Sequence, residues 1–259
     1  MSMLDRPQID PVITASDVLV TQFDEKVLGI VPSFSMNVTT DLWVPGSTQA
    51  QMFFPTTASV INIASDDVND TIDGTGARTV TVFGCDINGV RLIETVAMNG
   101  VSTVQTTNLF FRVDNAVVTS SGTTVSSIAG ANIGVITINH DGESLLLGQI
   151  DFTDNIPSGQ LFNSHRTIPT GFRGYITSVA ATVDVNANAK VFLMSRDNKV
   201  ANSPLLVLGI FGGIDNPTIL DFSITPLVIQ SFSDVWFAVR SGSNNTLVEV
   251  NYNMILRKI

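Results

Sequence analysis

Thr79-Val80-Thr81-Val82-Phe83, then Asp86-Ile87-Asn88-Gly89, then Val90 to Met98, Asn99-Gly100 and Val101 to Thr107 form the stretch that decides the fold. Val80 and Val82 alternate with Thr79 and Thr81, and a period of two places alternate side chains on opposite faces of a half-buried strand. Asn-Gly readily takes the positive φ that tight hairpin turns need, so Asn88-Gly89 and Asn99-Gly100 mark two reversals. The stretch predicts three antiparallel strands in a meander. Working outward, Phe110 to Thr119 and Ile133 to Asn139 read as further strands, with breaks at Gly122, Gly130 and Gly142. No long stretch carries a 3.6-residue apolar stripe. Ser16 to Ile30 comes nearest; Gly29 and Pro32 close it, and it reads as a strand or a short helix.

The second half repeats the style. Leu161 to Ile168, Tyr175 to Val185, Lys190 to Arg196, Leu205 to Ile210, Thr218 to Ile224, Val235 to Ser241 and Thr246 to Arg257 all read as strands. Turn signals separate several of them: Pro169-Thr170-Gly171, Asn186-Ala187-Asn188 and Asp197-Asn198. Closely spaced strands of this kind point to sandwiches, and the βαβ alternation of a doubly wound sheet is missing. The expected fold is all-β: two tandem antiparallel β-sandwich (jelly-roll-like) domains with an extended N-terminal arm. The arm is placed at residues 1–20, where Pro7, Pro11, Ile9, Val12 and Ile13 suit an extended, docked segment. The first domain is placed at 21–142 and the second at 143–259, with Asp141-Gly142-Glu143 as the linker.

Composition agrees. The 259 residues are 44% hydrophobic and only 14% charged, the reverse of a disordered chain. Thr, Ser and Asn replace the charges that exposed helices carry, which suits open strand faces. The net charge is −10, unevenly spread: residues 1–142 hold 14 acidic and 5 basic residues, residues 143–259 hold 9 and 8. Net charges of −9 and −1 support a chain of two parts. Scarce Lys and Arg argue against a nucleic-acid backbone or an anionic membrane as partner. No apolar run reaches the length of a membrane span, and Met1 to Asp10 lacks the basic and apolar regions of a secretory signal. The expectation is synthesis in a cytoplasm, with no export by the usual signal-peptide route.

Residue types that carry chemistry are few. The single cysteine, Cys85, reads as a small buried hydrophobe. His140 lies beside Asp141 at a turn and His165 beside Arg166 in a strand, with no nucleophile-elbow pattern for a Ser-His-Asp triad. Cys85, His140 and His165 are too scattered for zinc. Asp66, Asp67, Asp70 and Asp73 crowd one loop before Gly74, which offers oxygen ligands to Ca²⁺ or, alternatively, side chains that cap turns. Four carboxylates on one loop do not flank a sugar from opposite faces. Gly74-Thr75-Gly76-Ala77-Arg78 lacks the Lys and helix of a phosphate loop. The pairs Phe53-Phe54, Phe110-Phe111 and Trp236-Phe237 would each turn one ring inward and one outward in a strand, to the core on one side and an interface on the other. Trp43, before Pro45-Gly46, is the candidate for an exposed sugar-stacking platform. No catalytic residue, metal ligand or cofactor is assigned, and the chain reads as non-enzymatic.

Several of these segments resemble a pattern in virion structural proteins of tailed bacteriophages, marine ones especially. They are Asp70-Thr71, Gly74 to Val82, Asp86 to Gly89, Glu94-Thr95-Val96, Asn99-Gly100 and Phe111-Arg112-Val113. A second recurrent phage piece is similar to Ile168-Pro169-Thr170-Gly171 with Gly174-Tyr175-Ile176-Thr177-Ser178, and to Asn244-Asn245-Thr246 before the last strand. Cys85 stands where a Leu is commoner. The resemblance implies β-sandwich or jelly-roll folds, a place in the virion, homo-oligomers (trimers above all), contacts with other virion proteins such as the capsid protein, and no chemistry. The expected role is a head decoration or a capsid-attached fibre subunit. The alternatives are a neck or tail component, or a carbohydrate-binding receptor-recognition module using Trp43.

Overall fold

The computed structural model describes residues 21–23, 39–41, 53–122, 131–153, 156–161, 163–183, 189–214, 218–222, 224–241 and 248–259. The expected arm at 1–20, Trp43 and the Asn186-Ala187-Asn188 turn lie outside them. Two short strands come first, β1 (Thr21–Phe23) and β2 (Thr39–Asp41). Then follow β3 (Ile61–Ser65), β4 (Ala77–Cys85), β5 (Arg91–Ala97), β6 (Val104–Gln105), β7 (Arg112–Ser121), β8 (Ile136–His140) and β9 (Leu145–Ile150). A small hairpin pairs β10 (Phe152–Thr153) with β11 (Ile156–Pro157). The rest are β12 (Arg166–Thr167), β13 (Phe172–Val183), β14 (Ala189–Asp197), β15 (Leu206–Ile214), β16 (Thr218–Asp221), β17 (Leu227–Ile229), β18 (Ser233–Ser241) and β19 (Val248–Lys258). No helix occurs among the described residues, and every ladder between these strands is antiparallel.

Two hydrophobic cores organise the sheets. Sheet A runs β6-β3-β8-β9 and sheet B runs β5-β4-β7. Ile61 and Ile63 of β3, Ile136 and Ile138 of β8, Val80 and Val82 of β4 and Ala116 of β7 are all fully buried in one cluster. The sequence alternation therefore lands as expected, with Val80 and Val82 inward. Outward, the hydroxyls form a ladder: Thr81 Oγ1 lies 2.7 Å from Thr95 Oγ1 and 3.0 Å from Thr119 Oγ1, and Thr79 Oγ1 lies 3.0 Å from Thr119 Oγ1. Cross-strand Thr pairs of this kind stabilise a face without charge, which is what the Thr-rich composition supplies.

Sheet C runs β1-β19-β13-β16, with β17 also on β13; sheet D runs β12-β18-β14-β15, with β2 also on β18. Ile176 and Val179 of β13, Val191 and Leu193 of β14, Phe237 and Val239 of β18, and Val250 and Tyr252 of β19 line the second core. The β13–β19 ladder is the longest, from Phe172↔Lys258 to Val183↔Val248, with a bulge between Ile176 and Ser178.

Four expectations are corrected. The chain is not a simple tandem: β1 and β2 pair with β19 and β18, so the strands of the first core are entered from, and left toward, the sheets of the second. Asp141-Gly142-Glu143 is not a linker. It is the turn of the β8–β9 hairpin, and Leu147, Ile150 and Leu161 complete the first core. The meander also stops after two strands. β4 and β5 pair through the Asp86–Gly89 turn, with Gly89 at φ +74°, but β6 leaves sheet B and pairs with β3 of sheet A. The cause lies at Asn99-Gly100. There the Gly100 amide donates to the Asp70 carbonyl (2.8 Å) and its carbonyl accepts from the Ser65 amide (3.0 Å), which stitches the turn to the other sheet. The predicted strand from Leu161 to Ile168 shrinks to β12, because Leu161 still bonds back to Ala116 of β7.

Candidate functional site

The densest polar constellation lies where the two cores meet. Arg112 and Asp114 stand at the start of β7, His165 and Thr167 at β12, and Asp234 at the start of β18. All five are buried, Asp234 and Thr167 completely. Register puts them together: β12 pairs with β18 through Arg166↔Val235 and Thr167↔Asp234, and the Thr167 amide reaches across to Asp114 Oδ1 at 2.7 Å.

Asp234 is the hub. Its Oδ2 accepts from Arg112 Nε at 2.9 Å, and its Oδ1 accepts from Thr167 Oγ1 at 2.8 Å and from His165 Nε2 at 3.1 Å. Burial alone would push the Asp234 carboxyl up. The charges of Arg112 and His165 and their hydrogen bonds outweigh it and hold the group well below the usual carboxylate range. Arg112 itself uses four of its five N–H groups. Nη1 donates to the carbonyls of Pro55 (2.6 Å) and Phe111 (3.0 Å), Nη2 to Asn198 Oδ1 (3.2 Å), and the guanidinium lies 3.8 Å from the centroid of the Phe111 ring. A planar, weakly hydrated cation with five donors is the side chain suited to such a place.

This arrangement ties elements together, with all five side chains buried. Thr167 and Asp234 both face Nε2 of His165, while Nδ1 faces Asp114 Oδ1 at 3.8 Å. His165 Nε2 gives its hydrogen to Asp234 and so cannot take one from Thr167, and Nδ1 stands too far from Asp114 for the hydrogen bond that orients a nucleophile–base–orienter relay. Cys85 is nearby and equally closed. It is 1% exposed beside Phe111 and Phe232, and burial, reinforced by the Asp114 and Asp234 carboxylates, pushes its thiol far above the ordinary range. It is the small buried hydrophobe expected.

The remaining sequence candidates also serve structure. His140, fully buried, accepts the Glu143 amide at Nδ1 (3.2 Å) and faces the Thr57 carbonyl with Nε2 (3.1 Å), partners that suit a hydrogen on Nε2. Glu143 folds back over this turn, its Oε1 accepting from the amides of Thr56 (2.6 Å) and Thr57 (3.0 Å). Slight burial raises its carboxyl, but these bonds outweigh it and hold the group below its ordinary value.

Of the four loop aspartates, Asp70 is completely buried and accepts four donors. They are Ser65 Oγ at 2.6 Å and the amides of Ala77, Gly134 and Ile133 at 2.7, 2.8 and 2.9 Å. Asp66 takes the Val135 amide, and Asp67 caps its own turn through the Asn69 amide. The turn-capping reading therefore describes the loop, and no group of three or more metal-ligating side chains occurs among the described residues. Gly76 closes on this carboxylate, where an added Cβ would sit 2.1 Å from Asp70 Oδ1, and a Cβ on Gly74 would sit 2.0 Å from the Asn69 carbonyl oxygen.

Two of the aromatic pairs split as expected, one ring to the core and its neighbour to a packed contact on the other side. Phe110 fills the first core while Phe111 turns to the junction against Phe232. Phe237 fills the second core, and Trp236 packs against Phe54, Leu146 and Phe192. Both rings of these two pairs are buried because the outer face of each strand is itself covered. Phe53 is the ring that remains half-exposed. Sequence reasoning missed Arg112, Asp114, Thr167 and Asp234. The available signal was a charge set in an apolar strand, as in Phe111-Arg112-Val113 and Asp234-Val235-Trp236.

No protein-family model and no curated protein matches the chain. Among solved structures, the Gt strain of infectious bursal disease virus aligns at 8% identity and a TM-score of 0.27, covering 96% of this chain and 77% of that one. A VP2 subviral particle of the same virus aligns at 9% and 0.24, covering 96% and 77%. Its T13 viral particle aligns at 10% and 0.22, covering 92% and 67%. These TM-scores lie well below the level of a shared fold. The chain is all-β and antiparallel on its own ladders.

Proposed function

We propose that this chain is a non-enzymatic structural subunit of a tailed-phage virion: a head decoration or a capsid-attached fibre subunit, working through contacts with copies of itself and with other virion proteins. In this reading each pair of sheets is one antiparallel β-sandwich, the first inserted between strands of the second. The observation that carries the reading is an inversion of exposure. The groups able to do chemistry, Arg112, Asp114, His165 and Asp234, are shut away between the two cores. The apolar run Leu205 to Leu208, with Ile210, stands open. An enzyme needs the first set reachable, and an isolated monomer does best with the second covered. The sequence resemblance to phage virion proteins supports the same reading, as does the shortage of Lys and Arg for nucleic acid. Immunogold labelling of purified phage particles with an antibody against this chain tests it. Label spread over the head supports the decoration role. Label confined to the neck or tail moves the role there, and unlabelled particles overturn it. A receptor-binding role through Trp43 rests on a residue outside the described set.

A further inference from the structure

We propose that Phe232 is a strained catch between the two cores, cocked while they are docked and relaxed when they part. The inference concerns how the molecule moves and does not depend on where it works. Phe232 has φ +54°. Of the other two non-glycine residues in that left-handed region among the described ones, Asn202 is of a type that visits it and Ser144 is small. A phenylalanine is held there at a cost, because its Cβ crowds the following carbonyl.

Two backbone bonds fix the turn, and both lie within the second set of sheets. The Phe232 amide donates to the Ile168 carbonyl, and the Phe232 carbonyl accepts the Asn198 amide, each at 2.9 Å. The ring goes the other way. It is buried against Cys85 and Phe111, with its centroid 6.0 Å from that of Phe111. The Gly89 turn stands so close that an added Cβ there would meet it at 2.5 Å. Cys85, Gly89 and Phe111 all belong to the first set of sheets. The strain is therefore borne by one core, and the ring it presents is seated in the other.

The plane between the cores is where the molecule parts most easily. The two large clusters share no residue. What joins them is the buried charge set and two small apolar clusters, one around Trp236 and one around Phe232. A desolvated ion pair fixes geometry and adds little net stability. Contacts of this size and polarity between parts of a chain open before the cores themselves unfold. Once the ring leaves its seat, only the two backbone bonds oppose the strain, and a turn open to water can exchange them for solvent. Relaxation of the turn then favours the parted state, so undocking and relaxation are one event. Such a device lets the two parts reorient while each keeps its own sheets.

Native-state hydrogen exchange of the full wild-type chain in low urea tests this. The Thr167 and Thr170 amides bond across the junction, to Asp114 Oδ1 and to the Gly89 carbonyl, whereas the Phe232 and Asn198 amides bond within the second set of sheets. All four are expected to exchange through one opening of weak urea dependence, ahead of central-strand amides such as Val80 and Val191. If Thr167 and Thr170 open while Phe232 and Asn198 wait for global unfolding, the turn does not relax and the proposal is overturned. Exchange of all four only by global unfolding overturns it as well, because the cores then never part.

Maleimide labelling of Cys85 gives a second reading, since the Phe232 ring shields that thiol. Circular dichroism checks that the variants fold. Phe232→Ala should label about tenfold faster than wild type or more, on the scale of a lost buried ring. Phe232→Gly should label several-fold more slowly than Phe232→Ala, because glycine takes the strain out of the docked state. A role in packing alone predicts no such order. Equal rates for the two variants, or a faster glycine variant, overturn the proposal, and should either variant misfold the wild-type exchange decides it.

Discussion

Arg112 and Asp234 stand 122 residues apart in sequence and meet through a 2.9 Å bond from Nε to Oδ2, with both side chains buried. The bond joins the strand that opens toward the first core to the strand at the centre of the second. A buried pair of this kind adds little net stability over an apolar pair of equal volume, but breaking it strands a charge. Its role is to fix how the two sets of sheets sit together.

Removing one partner should therefore cost more than removing both. Arg112→Met is expected to destabilise the chain by about 3–5 kcal/mol, and Arg112→Met combined with Asp234→Leu by clearly less. Urea unfolding of the two single variants and the double variant measures the coupling. Additive losses would mean that the pair does not act as a unit.

Asp70 gives a second test. Its carboxylate accepts four donors. Asp70→Asn sets an amide N–H₂ against backbone N–H groups and should cost about 1–3 kcal/mol or more. Neither Ca²⁺ nor a chelator should shift the melting temperature of the wild type, because both oxygens of Asp70, the buried carboxylate of the loop, already accept protein donors. A clear upward shift with Ca²⁺ would restore the cation reading of this loop.

Gly89 is held at φ +74° in the β4–β5 turn. Its carbonyl accepts the Thr170 amide at 2.9 Å, and an added Cβ would lie 2.5 Å from the Phe232 ring and from Thr170 Oγ1. Gly89→Ala combines positive-φ strain with a clash at the junction and is expected to lose more than about 1 kcal/mol. A thermal melt of that variant matching wild type would remove the turn from the junction.

The acid limb of stability follows from three carboxyls. Asp234 is held low by Arg112 and His165 against its burial. Glu143 is held low by the Thr56 and Thr57 amides, and Glu94 by the amides of Thr107 and Asn108, each against slight burial. A folded carboxyl below its unfolded value means that the unfolded chain takes up protons first as pH falls. The stabilisation is full above the ordinary values of 3.8 for Asp and 4.5 for Glu and is lost as pH drops beneath them. Melting temperature should hold from neutral pH to about 5 and fall steeply below 4. Asp234→Asn should start lower and fall less. A flat profile down to pH 3 would contradict these assignments.

Local features were legible in the sequence and non-local ones were not. Val80, Val82 and Asn88-Gly89 announce a hairpin because side-chain alternation and positive φ are properties of neighbouring residues. Where the next strand goes is decided by the Gly100–Asp70 and Ser65–Gly100 bonds, which no period reveals. Asp141-Gly142-Glu143 looks the same as a hairpin turn or as a linker, and only the β8–β9 ladder distinguishes them. The pairing of β1 with β19 spans nearly the whole chain. At the junction, Phe111-Arg112-Val113 was visible as part of a resemblance, but its partner Asp234 is one acid among 23. Chemistry was legible mainly by its scarcity, and the structure adds where the few candidates are spent.

The most direct measurement is a count of this chain per particle in purified phage virions by quantitative mass spectrometry. The account predicts that the chain is a component of the particle, with copies in the hundreds for a head decoration and up to a few dozen for a neck, tail or fibre position. Particles that are complete, infectious and free of the chain would contradict it.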